Sequence, residues 1–473
     1  MPPNVVLIVL DAARADALEP YGAPRGASPA IADLARRGVA LPSAYAAATW
    51  TLPSHAAMFS GLLPRAAGMQ GIPGAGPHSY RPRMEAIRDR LLAEVMRRAG
   101  YATGAISTNL WLTPEGGFDI GFERFVSVDT RRQANLHRRD LGARLAWSLE
   151  AVRARADDGA AEAARILRSW LEPRPRQPFL WFVNLVECHS PYLPPKPYNE
   201  LGAFERWRAA REARRHLTLG EIWRVCAGGV PVPPEALDRM RRLYRGAIRY
   251  VDAWVEGVLA TLDGAGILDE TLVLVTSDHG ENFGEDGLMA HAFSLDDRLL
   301  HVPFVAAGPG APDIGRAWSL MALPGLIAAA AGIDDHPWHE WGPGDGVAVA
   351  EFDPPAPPDH PRWRTAFEEW GVSPERAGPR LTTRLTCATD GRLKLLRRGS
   401  IEELYDLGAD PLELQPLSPR ERPAEAVTRL RAALARAAGP EPEHPAPAEG
   451  EAGEAPAVEL RDLEDRMRLL GYL

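Results

Sequence analysis

The chain has 473 residues, with 54 Lys and Arg against 63 Asp and Glu, a formal net charge of −9. Hydrophobic residues make up 45% and charged residues 25%, an average soluble composition that excludes a disordered or membrane-embedded chain and argues against a nucleic-acid binder. At about 100–200 residues per domain, two or three domains are expected.

Residues 5–10 are a continuous β-branched and aliphatic run ending in Asp11, the pattern of a strand buried on both faces of a parallel sheet. The run is too short for a signal peptide and has no basic lead. Further strand runs fall at 179–186, 271–276 and 302–307, with amphipathic helical segments at 84–98, 145–172 and 234–264. This alternation predicts an α/β domain with a mostly parallel sheet flanked by helices, whose ligands gather at the carboxyl ends of the strands.

Past Gly332, Pro and Trp become frequent and the alternation stops. Runs at 380–389 and 392–398 flank Asp390-Gly391, a two-residue hairpin signal that predicts a small antiparallel subdomain. Expected boundaries are 1–335 for the catalytic domain and 336–438 for the subdomain, then a Pro/Glu/Ala linker at 439–458 and a terminal helix at 459–473. The apolar run at 323–332 contains Pro324 and is too short to cross a bilayer. Three scattered cysteines, Cys188, Cys226 and Cys387, form no disulfide framework and point to a reducing compartment. The expectation is a soluble, cytoplasmic protein.

Four polar clusters lie at a predicted strand end or helix start. Asp11 is placed either to bind a cation at the sheet's active edge or to cap a helix. Thr49-Trp50-Thr51-Leu52-Pro53-Ser54-His55 leads into a predicted helix, whose free N–H groups favour an anion; the other reading is an ordinary Ser/Thr cap. Glu187-Cys188-His189-Ser190-Pro191-Tyr192 follows a strand, as a functional turn or a polar loop. Thr276-Ser277-Asp278-His279-Gly280-Glu281 offers an oxygen and a nitrogen ligand side by side, with His291 twelve positions after His279; the alternative is a surface loop that happens to hold two histidines. All four could converge on one edge of one sheet. Gly71-Ile72-Pro73-Gly74-Ala75-Gly76 lacks the strand and the Gly-Lys-Ser/Thr of a nucleotide loop and reads as a mobile loop.

The order of these motifs resembles the sulfatase branch of the alkaline phosphatase superfamily. Asp11 with Arg14, the Thr51-Leu52-Pro53-Ser54-His55 motif, the Glu187 to Tyr192 segment, Ser277-Asp278-His279-Gly280, His291 ahead of Val302-Pro303, Leu404-Tyr405-Asp406-Leu407 with Asp410-Pro411, and Leu469-Leu470-Gly471-Tyr472 all match in sequence order. The resemblance implies an alkaline phosphatase-like fold and a divalent metal held by Asp11, Thr51, Asp278 and His279. It departs from the family at Thr51, where a Cys or Ser is oxidised to formylglycine. A secondary alcohol cannot become an aldehyde, so no formylglycine is expected. His55 replaces the usual Arg, and Glu187 the usual Asp.

Threonine is the nucleophile of the superfamily's phosphodiesterases and phosphoethanolamine transferases. The resemblance therefore implies a metal-dependent hydrolase or transferase of phosphate esters working through a covalent Thr51 intermediate. The alternatives are a sulfatase without formylglycine and an anion- or partner-binding pseudo-enzyme. The oxygen and nitrogen donors favour zinc or manganese, with calcium or magnesium also able to fit. Glu187, His189 and His291 either hold a second metal, or the two histidines bind the anion and act as general acids. Arg14 and His55 are expected to support the anion, and Asn109 and Lys394 are either substrate contacts or structural groups. The expected partner is a small phosphate or sulfate ester, with neither nucleic acid nor membrane; the oligomeric state is open.

Overall fold

Asn4–Leu10 is buried along its whole length, and its side chains alternate between two apolar layers. Val6, Ile8 and Leu10 enter one cluster and Val5, Leu7 and Val9 another, as the two-residue period of a strand requires when both faces of a sheet are covered. Each such buried aliphatic contributes about 1.5–3 kcal/mol relative to exposure. This strand is therefore the spine of the core.

The computed structural model describes residues 2–69, 77–128, 141–172, 175–312, 314–339, 346–356 and 358–437. The glycine-rich loop at 71–76, the linker at 439–458 and the terminal segment at 459–473 lie outside the described residues. Asn4–Leu10 pairs in parallel with Phe179–Leu185 on one side and Thr271–Thr276 on the other. Ala102–Ser107 and then Arg124–Ser127 extend the parallel set beyond Phe179–Leu185. Phe304–Ala307 and Val39–Ala40 close the other edge as antiparallel strands, giving seven in all. The mostly parallel, helix-flanked sheet expected from the sequence is present. Asp11, Thr108-Asn109, Val186-Glu187 and Ser277-Asp278 follow the carboxyl ends of four adjacent parallel strands.

A second sheet of four antiparallel strands runs Ala348–Phe352, Leu385–Thr389, Leu393–Arg398 and Ile401–Asp406. Helix Ala424–Ala437 covers it, burying Val427, Leu430 and Leu434 against Val349, Ala388, Leu395 and Leu404. The hairpin turn sits one residue later than its sequence signal. Asp390 N–H donates to Leu393 O, so Gly391 and Arg392 form the two-residue loop, and Gly391 takes the φ of 88° that a primed turn needs at its first position.

Two of the expected long helices are broken. The segment at 84–98 is Arg81–Ala86, a 3-10 turn at Arg88–Arg90, and Leu92–Arg98; the carbonyl of Arg90 is taken by Trp338 Nε1 at 3.1 Å. The segment at 145–172 is Leu141–Arg153 and Ala160–Ser169, separated where Ala154 adopts φ 48°. The helix Pro234–Gly264 runs as expected. The strand run at 302–307 is interrupted by Pro303, which splits it into His301–Val302 and Phe304–Ala307. Among the described residues no helix is long and apolar enough to cross a membrane, and Cys188, Cys226 and Cys387 are free and buried.

Candidate metal and ester site

Asp11 leaves the central strand into a tight turn, with Ala12 at φ 61°. Asp11 Oδ2 accepts from Asn109 Nδ2 at 2.7 Å and Asn184 Nδ2 at 3.3 Å. Asp278 Oδ1 accepts from the N–H groups of Ala12, at 3.2 Å, and His279, at 3.0 Å. His279 Nδ1 lies 2.9 Å from Gly280 O; a carbonyl can only accept, so this nitrogen carries the proton and Nε2 keeps its lone pair. Each of the three groups thus uses one atom for orientation. The other atom, Asp11 Oδ1, Asp278 Oδ2 or His279 Nε2, is buried without a hydrogen-bond partner.

These three orphaned atoms face one another. His279 Nε2 is 3.8 Å from Asp11 Oδ1 and 3.4 Å from Asp278 Oδ2, and all three residues are completely buried. Burial pushes the Asp278 carboxyl up to about 7 against the pull of its backbone donors, and lowers His279 to about 3 with help from His291. Burial, then the neighbouring Asp278, also raises Asp11. Two carboxylates converging with an imidazole lone pair in an apolar surround are costly unless a cation lies among them. The residues fit a divalent ion, and Asp11, Asp278 and His279 are the candidate ligands.

Thr51 opens helix Thr51–Ser60 and is 3% exposed. Its Oγ1 accepts from Asn109 Nδ2 at 3.3 Å, the same amide that binds Asp11. Asn109, expected as a substrate contact or a structural group, therefore ties the threonine to the Asp11 carboxylate. Ser54, one turn into the helix, donates to Asp278 O at 2.6 Å. The helix start is thereby fixed to the turn that bears Asp278 and His279.

His189, His279 and His291 form a row, with ring centroids 4.8 Å apart for His189 and His291 and 4.4 Å for His279 and His291. His291, with its side chain 17% exposed, sets Nδ1 3.1 Å from Glu281 Oε1. Burial lowers His189, but Asp11, Glu281, the Ser190 carbonyl and Asp278 outweigh it and leave the imidazole above its usual value. Glu281 is fully buried and was given no role by the sequence. Its signal was a carboxylate two places past His279, within a motif already singled out.

Three sequence expectations are corrected, for Glu187, Arg14 and His55, and a fourth residue, Lys394, takes the structural alternative. Glu187 does not join the histidines: its Oε1 accepts from Asp158 N–H at 2.9 Å and Ala160 N–H at 3.0 Å, capping Ala160–Ser169. Arg14 turns to Asp16, at 2.6 Å, and to Glu285 and the carbonyl of Glu281, each at 3.1 Å, where it braces loops instead of an anion. His55 is buried, with Nδ1 2.9 Å from Thr51 O one turn back and its ring edge-on to Phe59 and Phe182. Burial lowers it to about 4, so it is a neutral positioning group for the helix start. Lys394 is fully buried and paired with Glu413 at 2.8 Å.

Gly280 allows this arrangement by close approach. A Cβ there would lie 1.9 Å from Arg298 O. Gly280→Ala is expected to lower stability by about 1–3 kcal/mol and to weaken cation binding in parallel, as urea unfolding and metal titration will show. A variant as stable as the wild type would mean that the turn relaxes without consequence.

The family model named Sulfatase matches residues 3–318. A choline-sulfatase of Rhizobium meliloti is 31% identical over 194 residues, 40% of this chain and 35% of that protein. An arylsulfatase of Clostridium perfringens is 24% identical over 350 residues, 66% of this chain and 69% of that protein. The chain thus spans about a third of the first relative and about two-thirds of the second. In fold it is similar to the phosphonate monoester hydrolase of Agrobacterium radiobacter, with TM-score 0.62 and 19% identity over 92% of this chain and 94% of that one.

Proposed function

The chain belongs to the sulfatase family, and from that premise we propose that it is a divalent-cation-dependent hydrolase or transferase of phosphate esters that works through a covalent Thr51 intermediate. The observation that carries this reading is the convergence of three orphaned ligand atoms beside a buried threonine hydroxyl. Asp11, Asp278, His279 and Thr51 would hold the ion, with zinc or manganese matching the mixed donors. Such an ion supplies charge that makes a hydroxyl more acidic and offsets the charge of an ester. Asn109 orients the threonine oxygen. His189, partly exposed at the rim and, against the effect of burial, held above its usual value by Asp11 and Glu281, binds the anion and donates the proton that the leaving oxygen needs. His291, which burial and then His189 lower well below its usual value, lies beside it as a neutral imidazole and not as the second acid expected from the sequence.

In this scheme the Thr51 hydroxyl gives up its proton to solvent and its Oγ forms a bond to phosphorus as the bond to the leaving-group oxygen breaks and that oxygen takes a proton from His189. Attack by water, or by an acceptor alcohol in a transferase, then breaks the Thr51–phosphorus bond. With Glu187 engaged elsewhere, a single-ion site is favoured over a pair. The second reading is hydrolysis of sulfate esters, favoured by the names of the two relatives; water must then displace a threonine sulfate. The third reading, an anion- or partner-binding pseudo-enzyme, has the same ligands without turnover.

The discriminating experiment assays metal-loaded protein against p-nitrophenyl phosphate, its diester, a phosphonate monoester and p-nitrophenyl sulfate. A phosphorus ester is expected to give the highest kcat/KM. A faster sulfate would establish the second reading, and bound cation without any turnover the third. Mass spectrometry of the peptide containing Thr51 should show unmodified threonine; an aldehyde at this position would restore formylglycine chemistry.

A further inference from the structure

A largely apolar cavity rimmed by arginines lies behind the Asp11 turn, with a volume of about 410 Å³ and none of the metal-site residues in its lining. That is within the range of small-molecule sites, about 300–1,000 Å³. Its walls carry five arginines, Arg14, Arg25, Arg241, Arg245 and Arg249, against two carboxylates, Asp16 and Glu285. Both carboxylates are already held by Arg14, and Arg249 is held by Glu200 at 2.7 Å. Arg25 and Arg245 have no ion-pair or hydrogen-bond partner among the described residues.

Arg241, Arg245 and Arg249 follow one another at four-residue intervals along Pro234–Gly264. Like charges at that spacing oppose one another. Arg241 is answered by the Phe283 carbonyl at 2.6 Å and Glu285 at 4.0 Å and Arg249 by Glu200, which leaves Arg245 between them without a counter-charge among the described residues. Between the arginines the floor is apolar, built from the buried side chains of Tyr244, Ile248 and Phe283. A planar guanidinium matches phosphate or sulfate oxygens in bidentate fashion, and the floor matches a ring or short hydrocarbon. In a chain of net charge −9, this concentration of arginine is local and directional.

We propose that this cavity binds a small organic anion bearing a phosphate-like group and an apolar body, at a site separate from the metal centre. The test is calorimetric titration of metal-supplemented protein with phenylphosphonate, whose phosphorus–carbon bond survives ester chemistry. In the Arg25→Glu/Arg245→Glu variant, one equivalent of binding should disappear or weaken at least about tenfold, while ester turnover persists. Both arginines are exposed, so the variant retains its fold, as circular dichroism melting will confirm. Equal stoichiometry and affinity in the two proteins, or no phenylphosphonate binding by the wild type, would overturn the proposal.

Discussion

Thr51→Val is expected to lower kcat/KM by roughly 10³-fold or more, the scale seen when a covalent nucleophile is removed. Valine keeps the branched shape that fills this nearly inaccessible position and deletes only the oxygen. The folded protein loses one 3.3 Å hydrogen bond from Asn109, worth about 1 kcal/mol. Inactivity in a folded variant that still binds the cation therefore reports chemistry and not collapse. Thr51→Ser should retain part of the rate, because it keeps the hydroxyl while losing the methyl that aims it. A valine variant near wild-type activity would mean that water attacks the ester directly.

Asp278→Asn should bind the divalent ion at least about a hundredfold more weakly, since even outer partners of a metal ligand are worth 10- to 100-fold. The amide oxygen can still accept from Ala12 and His279 N–H, as Asp278 Oδ1 does, so the turn keeps its frame. The substitution removes the charge on the oxygen that has no partner. Titration with manganese or zinc measures the loss directly, and activity should fall with it. Unchanged affinity would remove Asp278 from the ligand set.

Asp11, Asp278 and His279 were legible because continuous apolar runs mark buried strands, and the residues just past such a strand lie at the sheet's carboxyl edge. The central sheet was legible for the same reason. Roles set by distant partners were not. Glu187 sits at a strand end as Asp11 does, but its oxygen caps a helix that begins 27 positions earlier in the chain. Arg14 is committed to Glu285, 271 positions away. Lys394 lies on a strand of the small sheet, where a lysine ordinarily reaches solvent, and only the fold brings Glu413 over it. The position of His55, by contrast, is set locally, because a side chain four residues into a helix can reach back to the carbonyl of Thr51. Glu281 needed the folded position of His291 to gain its contact with that imidazole.

The most direct test of a covalent threonine mechanism is the stereochemical course at phosphorus, read from a chiral phosphorothioate diester hydrolysed in ¹⁸O-water. Two successive in-line displacements, first by Thr51 and then by water, invert the centre twice. The account predicts net retention of configuration. Net inversion would show a single displacement by water and contradict the covalent role of Thr51.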